Sequence, residues 1–178
     1  MEREARRGRL RYRLGYPNRE VRESLNRALL DIVLGSDEER ADHLHKILQA
    51  GDLAGLEEHL RALLSGIPYK WQGRNPMGRY EGWYASMVYW DLMGAGMEVR
   101  SEESSSRGRA DLSVRGFGRA YVFEFKMRER TGTVGALEQL QTRGYADQYR
   151  EKGEPVHLVG VEFSAETRNL TRFETGTI

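Results

Sequence analysis

No cysteine occurs among the 178 residues, which excludes disulfides, thiolate zinc sites and cysteine nucleophiles together. Any metal must therefore be held by oxygen or imidazole. Histidine is nearly as scarce, with four residues. His43 and His45 lie two apart on a predicted helix and face different directions, while His59 and His157 are scattered, so no histidine zinc site can be assembled. No apolar run approaches the ~20 residues of a membrane span, and Met1-Glu-Arg-Glu-Ala-Arg-Arg lacks the apolar centre of a signal peptide. The expectation is a cytoplasmic protein without a membrane partner. There is no Gly-x-Ser-x-Gly elbow and no Gly-rich loop ending in Gly-Lys-Ser/Thr, so neither a hydrolase triad nor a Walker-type ATPase module is present in this sequence. Charge of one sign is also missing. At a net +1 the whole-molecule field will not draw the protein onto nucleic acid, and any such binding has to be local.

What is present suits a soluble globular domain: 39% hydrophobic and 31% charged residues, in a chain long enough to bury a core. Residues 1–13 carry six arginines against two glutamates and read as a tail or linker remnant. Residues 14–68 read as a helical extension. Asn18 is a plausible N-cap for a first helix with Val21, Leu25, Leu29 and Ile32 at helical spacing up to Gly35. Ser36-Asp-Glu-Glu39 is a capping box for a second helix with Leu44, Ile47 and Leu48. Asp52 caps a third with Leu53, Leu56, Leu60 and Leu63/Leu64. Residues 69–178 read as the core. Pro76 opens a fourth helix to about Gly94, apolar almost all round, with Glu81 in line with Tyr84, Val88 and Leu92. Three extended segments follow, 97–103, 110–115 and 120–126, with Gly116-Phe-Gly118 tight enough for a hairpin. A helix from about Ala136 to Lys152 and a nearly all-apolar strand, 157–163, complete the order; the strand reads as internal to the sheet.

The chemistry concentrates in Gly108-Arg-Ala-Asp-Leu112 and Tyr121-Val-Phe-Glu-Phe-Lys126. On a strand, Ala120, Val122, Glu124 and Lys126 share one face while Tyr121, Phe123 and Phe125 share the other. Two charges thus point one way from a strand whose opposite face is aromatic. Charged residues are depleted in strands and costly to bury unpaired, so either a cation compensates Glu124 or the pair is a ladder on a solvated face. If the strands pair, Asp111 and Glu124 converge at one end of the sheet with Lys126 beside them. Mg2+ (or Mn2+) suits hard oxygen ligands, with the Phe125 backbone carbonyl as a further donor and Glu81 holding a second metal or a water. Such a cation would polarise a phosphoryl oxygen and lower the pKa of a bound water, which Lys126 would orient.

In these motifs the chain resembles the PD-(D/E)XK, or restriction-endonuclease-like, superfamily: Glu81 in Tyr-Glu-Gly-Trp-Tyr, Asp111 in Gly-Arg-Ala-Asp-Leu, and Glu124 with Lys126 in Phe-Glu-Phe-Lys. The superfamily's proline is Ala110 here. More narrowly, from Leu14 to about Asn169 the chain is similar to the nuclease-like domain found C-terminal to AAA-type ATPase modules. The resemblance implies an α/β fold with a mixed central sheet flanked by helices, and a Mg2+-dependent deoxyribonuclease. Asp111 and Glu124 would bind metal, Lys126 would activate the nucleophile, and Glu81 and Gln139 would assist, with Gln141 and Tyr145 the rival pair to Gln139. Arg109, Arg128 and Tyr145 are candidate contacts to DNA, though arginines near carboxylates also form plain ion pairs and Tyr145 with Tyr149 can simply pack. The implied partners are DNA, an AAA-type ATPase and a second copy of the chain. A silent binding module of the same fold, or an effector that needs its ATPase in trans, are the competing readings.

Overall fold

The computed structural model describes residues 2–6, 9–13, 18, 20, 21, 24, 25, 28, 38–67, 81–105, 108–130, 134–143 and 153–178, of which the side chains of 2–13, 38, 102–105, 108, 109 and 130 are not described. The predicted helix openings at Ser36 and Pro76 lie outside these residues, as do Leu29, Ile32 and the C-terminal half of the helix expected to reach Lys152.

Strands β1 (Glu2–Arg6) and β2 (Arg9–Arg13) form a two-stranded antiparallel sheet where the sequence suggests a tail. The register sets Glu2 opposite Arg13 and Glu4 opposite Arg11. An arginine-rich composition had hidden the alternation. Asn18 does act as a cap, its Oδ1 accepting the Val21 N–H at 2.8 Å, but Val21 and Leu25, expected to face a core, are 44% and 45% exposed.

Helix α1 (Glu38–Ala50) buries Leu44, Ile47 and Leu48. Helix α2 (Leu53–Ser65) starts at Asp52, whose Oδ1 accepts the Gly55 N–H at 2.9 Å, and buries Leu56, Leu60, Leu63 and Leu64. Helix α3 (Glu81–Gly94) directs Tyr84, Val88 and Leu92 inward. One polar link joins all three helices. His59 of α2 meets Asp91 of α3 at 2.7 Å, and Arg40 of α1 reaches the other Asp91 oxygen at 3.3 Å. Asp91 and His59 are both buried, so each offsets the desolvation cost of the other.

The main sheet has the order β3-β4-β5-β6-β7, with β3 (Glu98–Ser105), β4 (Gly108–Gly116), β5 (Arg119–Met127), β6 (Val156–Ser164) and β7 (Asn169–Thr177). The expected meander is β3 to β5, all antiparallel. Its second turn places Phe117 and Gly118 at φ 55° and 70°, the left-handed pair that matches the twist of a two-residue hairpin. Strand β6 pairs parallel with β5 and antiparallel with β7, so it is internal as expected. The crossover between the parallel strands carries α4 (Ala136–Arg143). Strand β7 is absent from the sequence reading, because an edge strand with polar residues on both faces gives no clean apolar alternation.

The sheet is covered on both sides. Tyr121, Phe123, Phe125, Val159, Val161 and Phe163 pack with the leucines of α1 and α2 and with Tyr84 and Val88 of α3 in one continuous core. Helices α1 and α2 thus share the core of the sheet. On the other face Ala120, Val122, Val156 and Leu158 pack against Leu140 of α4.

Candidate active site

Strands β4 and β5 pair from Gly116 with Arg119 to Leu112 with Phe123. One residue beyond that register, Asp111 replaces the strand ladder with its side chain: Oδ2 accepts the Phe125 N–H at 2.8 Å. A strand residue turns its N–H and C=O to the same neighbour, so the Phe125 carbonyl also faces Asp111. Alternation puts Asp111 and Glu124 on the same sheet face, the one covered by α4.

The face is not solvated at this point, which settles against the ladder reading for Glu124. Its side chain is 5% exposed. Gln139 of α4 donates through Nε2 to Glu124 Oε1, while Oε2 is buried with no hydrogen-bond partner. Burial, then the nearby charge of Asp111 and more weakly Glu81, push the Glu124 carboxyl up from 4.5 to about 8, against the opposing pull of Lys126 and Arg143. Left alone at neutral pH it holds a proton. A nearby cation would invert that preference.

Lys126, on the same face, donates from Nζ to the Val134 carbonyl at 2.8 Å. That contact ties the end of β5 to the segment leading into α4. Glu162 of β6 lies level with Lys126 in the ladder and is 8% exposed, with Arg172 of β7 at 4.0 Å.

The seating of α4 on the sheet depends on Gly160, which lies opposite Glu124 in the β5–β6 register. A Cβ there would stand 2.4 Å from the Leu137 backbone nitrogen. Glycine lets the helix approach until Gln139 reaches Glu124. Gln141, the rival glutamine, turns the other way: its Nε2 would lie 3.5 Å from a Cβ at Gly176 of β7.

Glu81 is exposed on α3, whose buried residues Tyr84, Val88 and Leu92 follow it. Its charge still bears on Glu124. Arg128 follows β5 and is exposed, Arg109 lies in β4 with its side chain outside the described residues, and Tyr145 is outside them altogether. Arg143 was not singled out from sequence, although its position four residues after Gln139 was a signal for it.

Asp111, the bare Glu124 oxygen and the Phe125 carbonyl are hard oxygen donors of the kind Mg2+ and Mn2+ take. Among the described residues no three His, Asp or Glu side chains gather as metal ligands, so this donor set fits a cation that completes its shell with water or substrate oxygens. No helix among the described residues is long and apolar enough to cross a membrane.

A protein of Azotobacter chroococcum mcd 1, described as an uncharacterized protein in the vnfD 5' region, is 46% identical over 166 residues, covering 92% of this chain. The chain spans 32% of that relative's length. The family model for the PD-(D/E)XK nuclease superfamily matches residues 79–173, a stretch that contains Glu81, Asp111, Glu124, Lys126 and Gln139. With that match, and with a mixed five-stranded sheet flanked by helices beneath it, the chain belongs to the PD-(D/E)XK nuclease superfamily.

Proposed function

We propose that this chain is a Mg2+- or Mn2+-dependent phosphodiesterase that hydrolyses DNA. The observation that carries the reading is Glu124: a carboxylate buried in a strand, one oxygen held by Gln139 and the other without a partner, facing Asp111. An unpaired buried acid is costly, and a divalent cation is the partner that would relieve it.

Asp111 and Glu124, with the Phe125 carbonyl, would hold the cation, and Glu81 of α3 would steady a second metal or a water. When bound, the cation supplies Lewis-acid stabilisation of phosphoryl charge and a lowered pKa for water. Gln139 fixes the Glu124 carboxylate so that Oε2 stays directed into the site. Lys126 leaves the Val134 carbonyl to orient the attacking water and to stabilise charge on the phosphorus centre. Arg109 and Arg128 would contact the phosphate backbone, and Tyr145 is the further candidate on the same route. An AAA-type ATPase, in one longer chain or in trans, is the partner this reading carries forward, and the length of the Azotobacter chroococcum relative leaves room for a further module there.

The test is cleavage of supercoiled plasmid and of single-stranded DNA with Mg2+ or Mn2+, wild type beside Asp111→Asn. Metal-dependent cutting that disappears in the variant supports the reading. No cutting by the wild type, together with no Mn2+ binding by calorimetry, would overturn it.

A further inference from the structure

Helix α4 has two flanks above the sheet. Leu137 and Gln141 lie toward β7, both close to Gly176. Gln139 points to the opposite flank and holds Glu124 on β5. Arg143, one turn beyond Gln139, shares that second flank, since residues four apart are stacked ~5–6 Å from each other on a helix surface. It is exposed. Its positive charge is felt at the Glu124 carboxyl.

A phosphodiester entering this site meets Asp111, Glu124 and Glu81 together. A bound cation offsets part of that repulsion at the scissile group, and Lys126 acts at the same point. The neighbouring phosphate has no such partner from those groups. Arginine is suited to it, because its planar fork presents paired donors to two phosphate oxygens.

We propose that Arg143 is a substrate-binding residue that grips the backbone phosphate next to the scissile one, on the β5 flank of α4, and so sets the register of the strand over Glu124. This rests on the nuclease reading above.

The experiment compares wild type, Arg143→Gln and Arg143→Lys in steady-state cleavage of a short duplex. In parallel, binding of the same duplex is followed against salt in the Asp111→Asn background with Mg2+ present. Arg143→Gln is expected to raise KM by roughly 10-fold with kcat changed less than about 3-fold, and to reduce the slope of log K against log salt by about 0.9, the value for one lost contact to duplex phosphate. Arg143→Lys should keep the salt slope while recovering only part of the KM, since an ammonium keeps the charge without the fork. Unchanged KM and salt slope in Arg143→Gln, with cleavage by the wild type intact, would overturn the assignment and leave the nuclease reading standing. A fall in kcat alone with an unchanged slope would assign Arg143 to the electrostatics of Glu124 and likewise overturn it. A wild type that neither binds nor cuts DNA would remove the parent reading and this one with it.

Discussion

Glu124 concentrates the energetics of the candidate site in one side chain. Its carboxyl, raised to about 8 by burial and by Asp111, binds a proton more tightly folded than unfolded. Its contribution to stability is therefore largest below the ordinary value of 4.5 and is lost as pH climbs from there through about 8. Glu124→Gln removes the charge while keeping a shape that fits beside Gln139. In EDTA at pH 9 this variant should be more stable than wild type by ~1–3 kcal/mol, read by urea unfolding, while its DNA cleavage is abolished. A destabilised variant under those conditions would contradict the buried, unpartnered carboxylate. Metal binding should have the reverse pH dependence. Because the cation needs the ionised acid, Mn2+ affinity should rise about tenfold per pH unit between pH 6 and 8 and flatten above it. Calorimetry in two buffers of different ionisation enthalpy should find close to one proton released at pH 7, and none in Glu124→Gln.

At the level of elements, the contact between α4 and β6 decides whether the site is assembled. Gly160→Ala would drive a methyl into the Leu137 backbone, 2.4 Å from its nitrogen. Backbone cannot yield as a flexible side-chain tip would. We expect a loss of ~1–3 kcal/mol, in the range of overpacked cores, and a fall in cleavage larger than that of Gln139→Ala, because α4 lifts and the whole Glu124 pocket opens. Equal activity in Gly160→Ala and wild type, at a temperature where both are folded, would show that helix seating does not govern the site. Most elements were legible beforehand because each carries its own period: Leu44, Ile47 and Leu48 at helical spacing, Tyr121, Phe123 and Phe125 at alternation. Strand β7 was not, since Thr171, Arg172 and Glu174 are polar on an edge, and neither were the hairpin register of β1 with β2 and the exposure of Val21 and Leu25.

Across the whole molecule, the family match over residues 79–173 does not coincide with the folding unit. The leucines of α1 and α2 belong to one continuous core with Phe123, Phe125 and Phe163, the Arg61 Nη1 donates to the Leu170 carbonyl of β7 at 2.6 Å, and the Tyr121 hydroxyl donates to the Leu48 carbonyl at 2.8 Å. A fragment of residues 79–178 should therefore bind a hydrophobic dye and lack a cooperative thermal transition, whereas the full chain unfolds in one step. A cooperative transition in the fragment would refute the shared core. Asp91→Ala should cost about 3–5 kcal/mol in urea unfolding of the full chain, because it removes the buried carboxylate that His59 and Arg40 both meet.

The sequence by itself determined which residues share a face: Glu124 with Lys126, opposite an aromatic stripe, and Asp111 close enough in chain order to join them. Such patterns follow from backbone geometry, which is local. Only the tertiary structure decided that the Glu124 face is roofed by α4, that Gln139 rather than Gln141 reaches the carboxylate, that Asp111 takes the Phe125 N–H, and that Glu81 is exposed. Each of these depends on how closely one element approaches another, and that distance is set by side chains such as Gly160 that are far from their partners in the chain.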